Sequence, residues 1–241
     1  MPRPLVTDMR LDLSADRARA LGMNHVSRET AARLDRFVDV LLHWQRRANL
    51  VSSSTLRHLW TRHVADSLQL VPLVPDARVF VDLGSGGGFP GMVIACAIAG
   101  NPGSPAVVHL VESNGKKAAF LRQAAREAEV PAIIHHDRIE EFVRSFTGKA
   151  DVVTARALAP LAKLLGLAEP LLQRGAEGLF LKGQDLDVEL TEAAKYWSID
   201  ATFKPSVTDP GGRIVLIRRA YRHTPGRSHE RFGDKRSGRA P

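Results

Sequence analysis

The sequence has a single cysteine and lacks any long apolar run. With Cys96 as the only thiol, no intrachain disulfide can form, which fits a reducing compartment. The N-terminal stretch MPRPLVTDMRLDLS contains no apolar core of the signal-peptide type. The most apolar stretch, FPGMVIACAIAG, is far shorter than the ~20 residues that a membrane span requires. These absences predict a cytoplasmic protein with no membrane association.

Positive charge is concentrated at the C-terminal end of the sequence. The 241 residues carry a formal charge of +8, and residues 218–241 contain eight Arg and Lys against two Asp and Glu. They therefore supply +6 of the total. We predict that residues 221–241 form a basic, disordered tail. Such a tail either neutralises RNA or DNA phosphates without sequence preference or keeps the protein soluble.

Hydrophobic periodicity divides the rest of the chain into two parts. Residues 1–75 read as a helical extension, because SRETAARLDRFVDVLLHWQRRANL and TLRHLWTRHVADSLQL each place apolar residues on one helix face. Ser27 marks the start of the first of these helices. From Arg78 onward, short β-rich runs alternate with helical stretches, which predicts a mostly parallel sheet between helices. The last two runs, SIDATFKPSV and RIVLIRR, predict an antiparallel hairpin.

This pattern predicts an α/β fold for residues 76–220. Seven strands with an antiparallel hairpin at the C-terminal end are typical of the Rossmann-like class I methyltransferase domain, which binds S-adenosylmethionine (SAM). The first predicted strand leads directly into a glycine-rich loop, VDLGSGGGFPG. A Walker A loop is excluded, because no Gly-Lys-Ser/Thr ending follows.

The glycine loop favours SAM over a dinucleotide. Gly86, Gly88 and Gly91 do spell the dinucleotide pattern, but the register anchored on the strand end is Asp82, Gly84, Gly86 and Gly88. A carboxylate beside the loop would repel a pyrophosphate, whereas SAM carries an ammonium and a sulfonium. A tight turn that binds nothing is the remaining alternative for this segment.

Two further segments fit a SAM site. Glu112 ends the second predicted strand. A carboxylate at that position can accept two hydrogen bonds from a ribose diol. The alternative is that Glu112 is only a neighbour of the N-cap of the next helix. The loop after the third strand lies against the adenine in this fold. Ile139 can therefore pack on the base while Glu140 or the backbone reads its edge.

The residues after the fourth predicted strand limit the kinds of methyl transfer that the site could perform. Methylation of an exocyclic amine typically uses an Asn/Asp-Pro-Pro-aromatic tetrapeptide there, but this sequence has TARA from Thr154 to Ala157. Pyrimidine C5 methylation needs a cysteine nucleophile, and Cys96 falls in an apolar helix where it reads as a core residue. An acceptor that is already nucleophilic fits best, such as guanine N7, for which alignment alone promotes transfer.

Together these segments resemble the RsmG family, also called GidB. GSGGGFPG and RHVADSL carry the resemblance, which spans residues 30 to 220. It implies methylation of a guanine N7 in 16S ribosomal RNA (family target guanine 527), as naked RNA or in a small-subunit particle. No metal is implied. It also implies SAM contacts at the following positions: Gly84, Phe89, Ile139, Glu140 and Arg156.

The resemblance also brings in residues outside the glycine loop. Arg62 and the helix face formed by His63, Asp66 and Ser67 become candidates for the mouth of the site and for RNA contact, as does Lys182. His63 alone would read as a structural histidine, and the alternative for Arg156 is an ion pair with Asp151 or another acid. Arg156 and His63 are the candidate catalytic residues.

Three alternatives to an RNA methyltransferase stay open at this point. A SAM enzyme acting on a small molecule is weakly disfavoured by the charge distribution. An NAD(P)-dependent oxidoreductase is disfavoured by Asp82. A non-catalytic RNA-binding module would retain the fold without the reaction.

Overall fold

The computed structural model describes residues 12–99 and 105–223 of the chain. Helices α1 (Ser14–Gly22) and α2 (Arg28–Ala48) come first. Ser27 caps α2, because its side chain accepts a hydrogen bond from the Thr30 backbone N–H, which confirms the predicted start. No helix within the described ranges is long and apolar enough to cross a membrane.

The second predicted α-helix is wrong in detail. The segment instead forms a 3₁₀ turn (Leu56–His58), a π-helical stretch (Trp60–Ala65) and the single turn α3 (Asp66–Leu68), with another 3₁₀ turn at Val71–Leu73. A tertiary contact lies at the start of the π-helical stretch. The Asp16 carboxylate of α1 accepts hydrogen bonds from the backbone N–H groups of Trp60 and Thr61, at 2.8 and 3.4 Å. No local pattern encodes that contact.

A seven-stranded sheet follows in the order β3-β2-β1-β4-β5-β7-β6. Strands β1 to β5 are parallel, and β7 pairs antiparallel with both β5 and β6. This arrangement confirms the predicted class I methyltransferase fold. The strands are β1 (Val79–Leu83), β2 (Val107–Val111), β3 (Ala132–His135), β4 (Val152–Arg156), β5 (Glu177–Lys182), β6 (Trp197–Pro205) and β7 (Arg213–Arg222). The remaining helices are α4 (Gly91–Ile98), α5 (Gly115–Ala128), α6 (Ile139–Ser145), α7 (Leu161–Leu172) and α8 (Leu186–Ala193).

The N-terminal helices pack directly on one face of the sheet domain. Phe37 of α2 lies 6.3 Å from the Phe120 ring of α5, and the Trp44 indole N–H donates to Gln123 Oε1 at 2.9 Å. One hydrophobic cluster includes both α2 and the helices α4 and α5, while a second cluster fills the opposite face under α6, α7 and α8. The described part of the extension is therefore a wall of the domain.

The predicted start of the tail at residue 221 is too early. Strand β7 runs through Tyr221 to Arg222, and the His223 backbone N–H donates to the Tyr196 carbonyl at 2.8 Å. The Arg222 guanidinium lies 4.8 Å over the Trp197 ring. Cross-strand pairing with β6 extends the sheet domain by these residues. The rest of the predicted tail, 224–241, lies outside the described residues.

Cys96 occupies the core, as its apolar neighbours predict. It is fully buried in α4, and burial raises the pKa of its thiol to about 12. A thiol that stays protonated at neutral pH is a poor nucleophile. The structure thus supports the exclusion of cysteine-based methylation chemistry.

Candidate active site

A cleft of about 740 Å³ opens at the carboxyl ends of β1, β4 and β5. Open parallel sheets bind ligands at this edge, because the loops that follow the strands meet there. Its walls come from residues within 50–55, 62–66, 84–89, 156–160, 181–183 and 206–213, together with Lys117 and Glu189. Segments that precede β1 and the segment between β6 and β7 thus flank the glycine loop.

The glycine loop presents one open position to the cleft. Gly84, Gly86 and Gly88 have φ angles of 67°, 52° and 88°, a left-handed conformation that favours glycine. A Cβ on Gly86 would meet only the Gly84 carbonyl oxygen, at 3.7 Å, whereas on Gly87 it would lie 2.7 Å from the Leu50 carbonyl oxygen. Gly86 therefore leaves room for a ligand, and Gly87 leaves room for the N-terminal segment.

Two predicted loop contacts have different surroundings. Phe89 is 4% exposed and lines the cleft. Gly88 does not line it, and a Cβ there would crowd the side chains of Met92 and Phe37. The glycine at 88 therefore lets the loop close against the hydrophobic core.

Asp82, whose carboxylate the sequence pattern places beside a bound SAM, lies beneath the loop and does not line the cleft. It is fully buried, and its Oδ1 accepts a hydrogen bond from Thr154 Oγ1 at 2.8 Å. Its Oδ2 has no hydrogen-bond partner among the described residues. Burial raises the pKa of Asp82 to about 6, against the lowering effect of the Thr154 hydrogen bond. A cation bound above the loop would stabilise this carboxylate through space.

Glu112 joins the glycine loop to the loop after β2. Its carboxylate accepts hydrogen bonds from the backbone N–H of Gly86 at 2.9 Å and of Asn114 at 2.7 Å. It is 8% exposed. A carboxylate has lone pairs beyond these two bonds, so the predicted ribose contact stays compatible with the supporting role seen here.

The predicted adenine contacts are carried by the start of α6. Ile139 is half-buried and packs against the second hydrophobic cluster, while Glu140 is exposed in the first helical turn. Neither residue lines the cleft described above. Their contact with a base therefore stays a prediction.

Arg156, His63 and Phe89 form one compact cluster at the side of the cleft. The Arg156 Nη2 lies 2.6 Å from His63 Nδ1, and its Nη1 donates to the Arg62 carbonyl oxygen at 3.2 Å. The guanidinium lies 5.0 Å over the Phe89 ring, and the His63 ring centroid is also 5.0 Å from it. Arg156 pairs with Asp66 Oδ2 at 3.8 Å and not with Asp151, which accepts from the backbone of Arg78 and Val79.

This contact fixes the protonation of His63. Arginine has no acceptor atom, so Nδ1 of His63 must accept, and the ring proton sits on Nε2, 2.9 Å from Thr55 Oγ1. Burial first, and then the charges of Arg156 and Arg62, lower the pKa of His63 to about 3. His63 is therefore a neutral, oriented ring and is unsuited to take a proton at neutral pH.

The residue after Arg156 is strained. Ala157 has a φ of 51°, a left-handed conformation that costs an ordinary residue about 1–2 kcal/mol. It turns the chain out of β4 so that residues 157–160 line the cleft. An alanine carries no sequence signal of such a turn, so this feature could not be predicted.

Asp66 ties the N-terminal segment to the β6–β7 loop. Its Oδ1 accepts hydrogen bonds from Ser206 Oγ at 3.0 Å, Thr208 Oγ1 at 2.8 Å and Gln69 Nε2 at 2.8 Å. Arg62 makes a second link to this loop, because its Nη1 lies 3.0 Å from Asp209 Oδ2. The contribution of the β6–β7 loop to the site carries no local signal in the sequence.

The structure corrects the placement of Ser67. The helix-face pattern groups it with His63 and Asp66 at the mouth of the site, but Ser67 is fully buried and its hydroxyl donates to the His63 carbonyl oxygen at 2.7 Å. The change from π-helical to α-helical winding at Asp66 alters the face that follows. Ser67 thus supports the backbone and does not reach the cleft.

A charged pair lines the β5 side of the cleft. Lys182 Nζ forms an ion pair with Glu189 Oε2 and donates to the Ala159 carbonyl oxygen at 2.9 Å. Glu189 Oε2 also accepts from the backbone N–H of Leu161, the first residue of α7, at 2.7 Å. The sequence predicts Lys182 as a candidate for RNA contact. It gives no signal for Glu189, which lies in an ordinary amphipathic stretch. Among the described residues, no group of three or more His, Cys, Asp or Glu is placed to hold a metal ion.

Solved methyltransferases share this fold at low sequence identity. An O-methyltransferase from Bacillus cereus in complex with SAH matches with a TM-score of 0.56 and 14% identity, covering 86% of this chain and 98% of that one. A SAH-bound methyltransferase from Podospora anserina gives 0.58 and 15%, covering 91% and 99%. Matches this remote demonstrate the fold alone.

Sequence relatives are much closer. Ribosomal RNA small subunit methyltransferase G of Bradyrhizobium sp. strain BTAi1 is 57% identical over 211 residues, 88% of this chain and 94% of the relative. The protein of the same name from Nitrobacter hamburgensis is 55% identical over 209 residues, 87% and 80% of the two chains. The family model described as rRNA small subunit methyltransferase G matches residues 30–215. Because that span holds six of the seven strands and the start of β7, as well as every segment that lines the cleft, the chain belongs to the rRNA small subunit methyltransferase G family.

Proposed function

We propose that the protein transfers a methyl group from SAM to N7 of a guanine in 16S ribosomal RNA, at the family target guanine 527. The observation that carries the proposal is the state of His63. This ring is the histidine that lines the cleft, and it is neutral, held as an acceptor by Arg156 and with its pKa near 3. A site without a histidine base suits an acceptor atom that already has a free lone pair.

SAM fits the glycine-loop side of the cleft. The open space over Gly86 accommodates the methionine part, and the buried, unpaired Asp82 Oδ2 gives the region negative potential for its ammonium and sulfonium. Glu112 would accept from the ribose diol, and Ile139 and Glu140 would meet the adenine. Bound there, SAM supplies a methyl group on a positively charged sulfur.

The chain itself contributes alignment. The guanine N7 lone pair forms the new bond to the methyl carbon as the carbon–sulfur bond breaks and its electron pair passes to sulfur, so no proton has to leave the base. Phe89, His63 and Arg156 pack against one another as a wall that would fix the approach of the base. Holding the two reactants in line is itself a large source of rate enhancement.

The RNA side of the cleft is formed by the opposite wall. Arg62, Lys182 and Arg213 line it and offer N–H donors, and each of them forms an ion pair with an acid of the protein, in order Asp209, Glu189 and Asp187. Such groups position the phosphate backbone and the base without reading a long sequence. We infer that 16S RNA, naked or in a small-subunit particle, meets the protein in the cytoplasm through this wall.

The proposal is tested by mass mapping of small-subunit RNA from a strain that lacks the protein. One guanine should lose its N7 methyl group and regain it when the wild-type protein is returned. Arg156→Ala should fail to restore it, and Arg156→Lys should restore it only in part, because lysine cannot make the paired contacts of a guanidinium. An unchanged methylation pattern in the deletion strain would contradict the proposal.

A further inference from the structure

The Lys182–Glu189 pair has hydrogen-bonding capacity that the protein itself leaves unused. The Lys182 ammonium has three N–H donors and spends two, on Glu189 and on the Ala159 carbonyl oxygen. Glu189 uses Oε2 for Lys182 and for the Leu161 N–H, and its Oε1 has no partner within the described part of the chain. Both residues line the cleft, with side-chain exposures of 9% and 22%.

The pair lies on the far side of the cleft from the glycine loop. The strand order places β4 between β1 and β5, so Arg156, at the end of β4, separates the loop after β1 from Lys182 at the end of β5. In the β4–β5 register, Arg156 pairs with Leu181, the residue before Lys182. A planar group between the two walls would thus have one edge toward the loop and the other toward Lys182 and Glu189.

This arrangement complements guanine. The Watson–Crick edge of guanine carries two donors, N1–H and the 2-amino group, followed by the O6 acceptor, and enzymes that act on a base outside the helix read this edge. A carboxylate oxygen matches the two donors and an ammonium matches O6. Adenine offers an acceptor at N1 and a donor at C6, so it would face the pair with the wrong pattern.

We propose that Glu189 and Lys182 form the site that selects the acceptor guanine. Glu189 Oε1 accepts from N1–H and the 2-amino group, and Lys182 donates to O6. Because N7 lies on the side of the base away from the 2-amino group, this pairing turns N7 toward the glycine loop. The inference rests on the proposed function, since it assumes that the acceptor is guanine.

The contacts of the pair also support the fold, so the test must separate the two roles. Glu189→Gln keeps a side-chain oxygen that can accept from the Leu161 N–H while removing the anionic acceptor. Glu192→Gln on the same helix is the matched control, because Glu192 is exposed and pairs only with Lys195 among the described residues. SAM affinities of both variants and the melting temperature of Glu192→Gln should stay close to wild type, whereas Glu189→Gln should melt at a lower temperature because Lys182 loses its charge partner.

The measurement is kcat/KM on small-subunit RNA carrying either guanine or inosine at the target position. Inosine lacks only the 2-amino group. The wild-type enzyme and Glu192→Gln should lose about tenfold or more on inosine, the scale of a lost charge-assisted hydrogen bond. Glu189→Gln should be impaired on guanine to a similar extent and should barely distinguish the two bases.

Two outcomes overturn the inference. If wild-type enzyme methylates inosine as well as guanine, no group reads the 2-amino position, and this holds whether or not a variant folds. If Glu189→Gln keeps the wild-type guanine preference, another residue reads the base. Failure of the proposed function is distinct, because mass mapping of the wild-type product would then place the methyl group on an atom other than guanine N7.

Discussion

Arg156 Nη2 lies 2.6 Å from His63 Nδ1, and the hydrogen bond can run only from the arginine to the histidine. With its pKa lowered to about 3, His63 stays neutral from pH 6 to 8. The rate of methyl transfer in single turnovers should therefore show no ionisation near pH 6.5. His63→Ala should lower the rate through looser placement and leave the profile flat. An ionisation near 6.5 that vanishes in His63→Ala would make the histidine a general base.

The raised pKa of Asp82 leads us to expect that SAM binding depends on pH, unlike the rate of methyl transfer. Burial raises its pKa to about 6, so the carboxylate is charged above that pH and neutral below it. The ammonium of SAM keeps its charge throughout this range, so affinity should weaken as pH falls through about 6. Asp82→Asn removes the charge without removing a direct contact to the ligand, so it should bind SAM more weakly than wild type at pH 7.5 and lose the dependence on pH. Calorimetric titrations between pH 5 and 8 would show equal slopes for both proteins if Asp82 has no such role.

Adjacent glycines should respond differently to side chains. At Gly86 the added side chain points into the open cleft, so Gly86→Val should abolish SAM binding. The left-handed φ of 52° should reduce the free energy of unfolding by about 1–2 kcal/mol, and the fold should largely survive. At Gly87 a Cβ would lie 2.7 Å from the Leu50 carbonyl oxygen, so Gly87→Ala should lower the melting temperature. Wild-type SAM affinity in Gly86→Val would remove the loop from the cofactor site.

Loss of the Asp66 carboxylate should loosen the β6–β7 loop. Asp66→Ala removes the acceptor shared by Ser206, Thr208 and Gln69, which should reduce the free energy of unfolding by about 1–3 kcal/mol. Hydrogen exchange should quicken at the amides of residues 206–212. The control is Asp39→Ala, a change at an exposed acid of α2. Equal exchange in the two variants would show that the loop is held by other contacts.

The basic segment beyond the sheet should affect RNA and leave SAM alone. Truncation after His223 removes five Arg and Lys and two acidic residues, and should reduce the slope of log affinity for RNA against log salt by up to about 4. SAM affinity should not change. Truncation after Tyr221 would also remove Arg222 from Trp197 and should lower the melting temperature. An unaltered salt slope after His223 would mean that the segment aids solubility only.

Local patterns carried most of the fold prediction. Alternating β-rich and helical runs predicted the sheet and its final hairpin, since burial periodicity is a property of neighbouring residues. The order in which Asp82, Gly84 and Gly86 follow one another located the loop. Burial of Asp82 beneath that loop was not predictable, because a strand-end pattern does not specify which side of the turn a carboxylate occupies.

The structural features that the sequence patterns did not predict have a different, common cause, which is contact between distant parts of the chain. The start of the π-helical stretch contacts Asp16, more than 40 positions earlier, and the link from Asp66 to Ser206 spans 140 positions. Glu189 reaches the cleft and the Leu161 N–H only because α8 packs beside α7. Such pairs leave no trace in the periodicity of either segment.

The position of β7 has a consequence for synthesis. Of the described strands it is the last to be synthesised, yet it lies between β5 and β6, and β6 pairs with no other strand of that set. A growing polypeptide therefore holds β6 without a partner until β7 has been made, an interval of roughly 1–5 s at ordinary elongation rates. The loop that Asp66 anchors joins these two strands, so the wall that we propose to face RNA is completed only with β7. A cleft complete enough to act on RNA therefore forms only after β7 has left the ribosome.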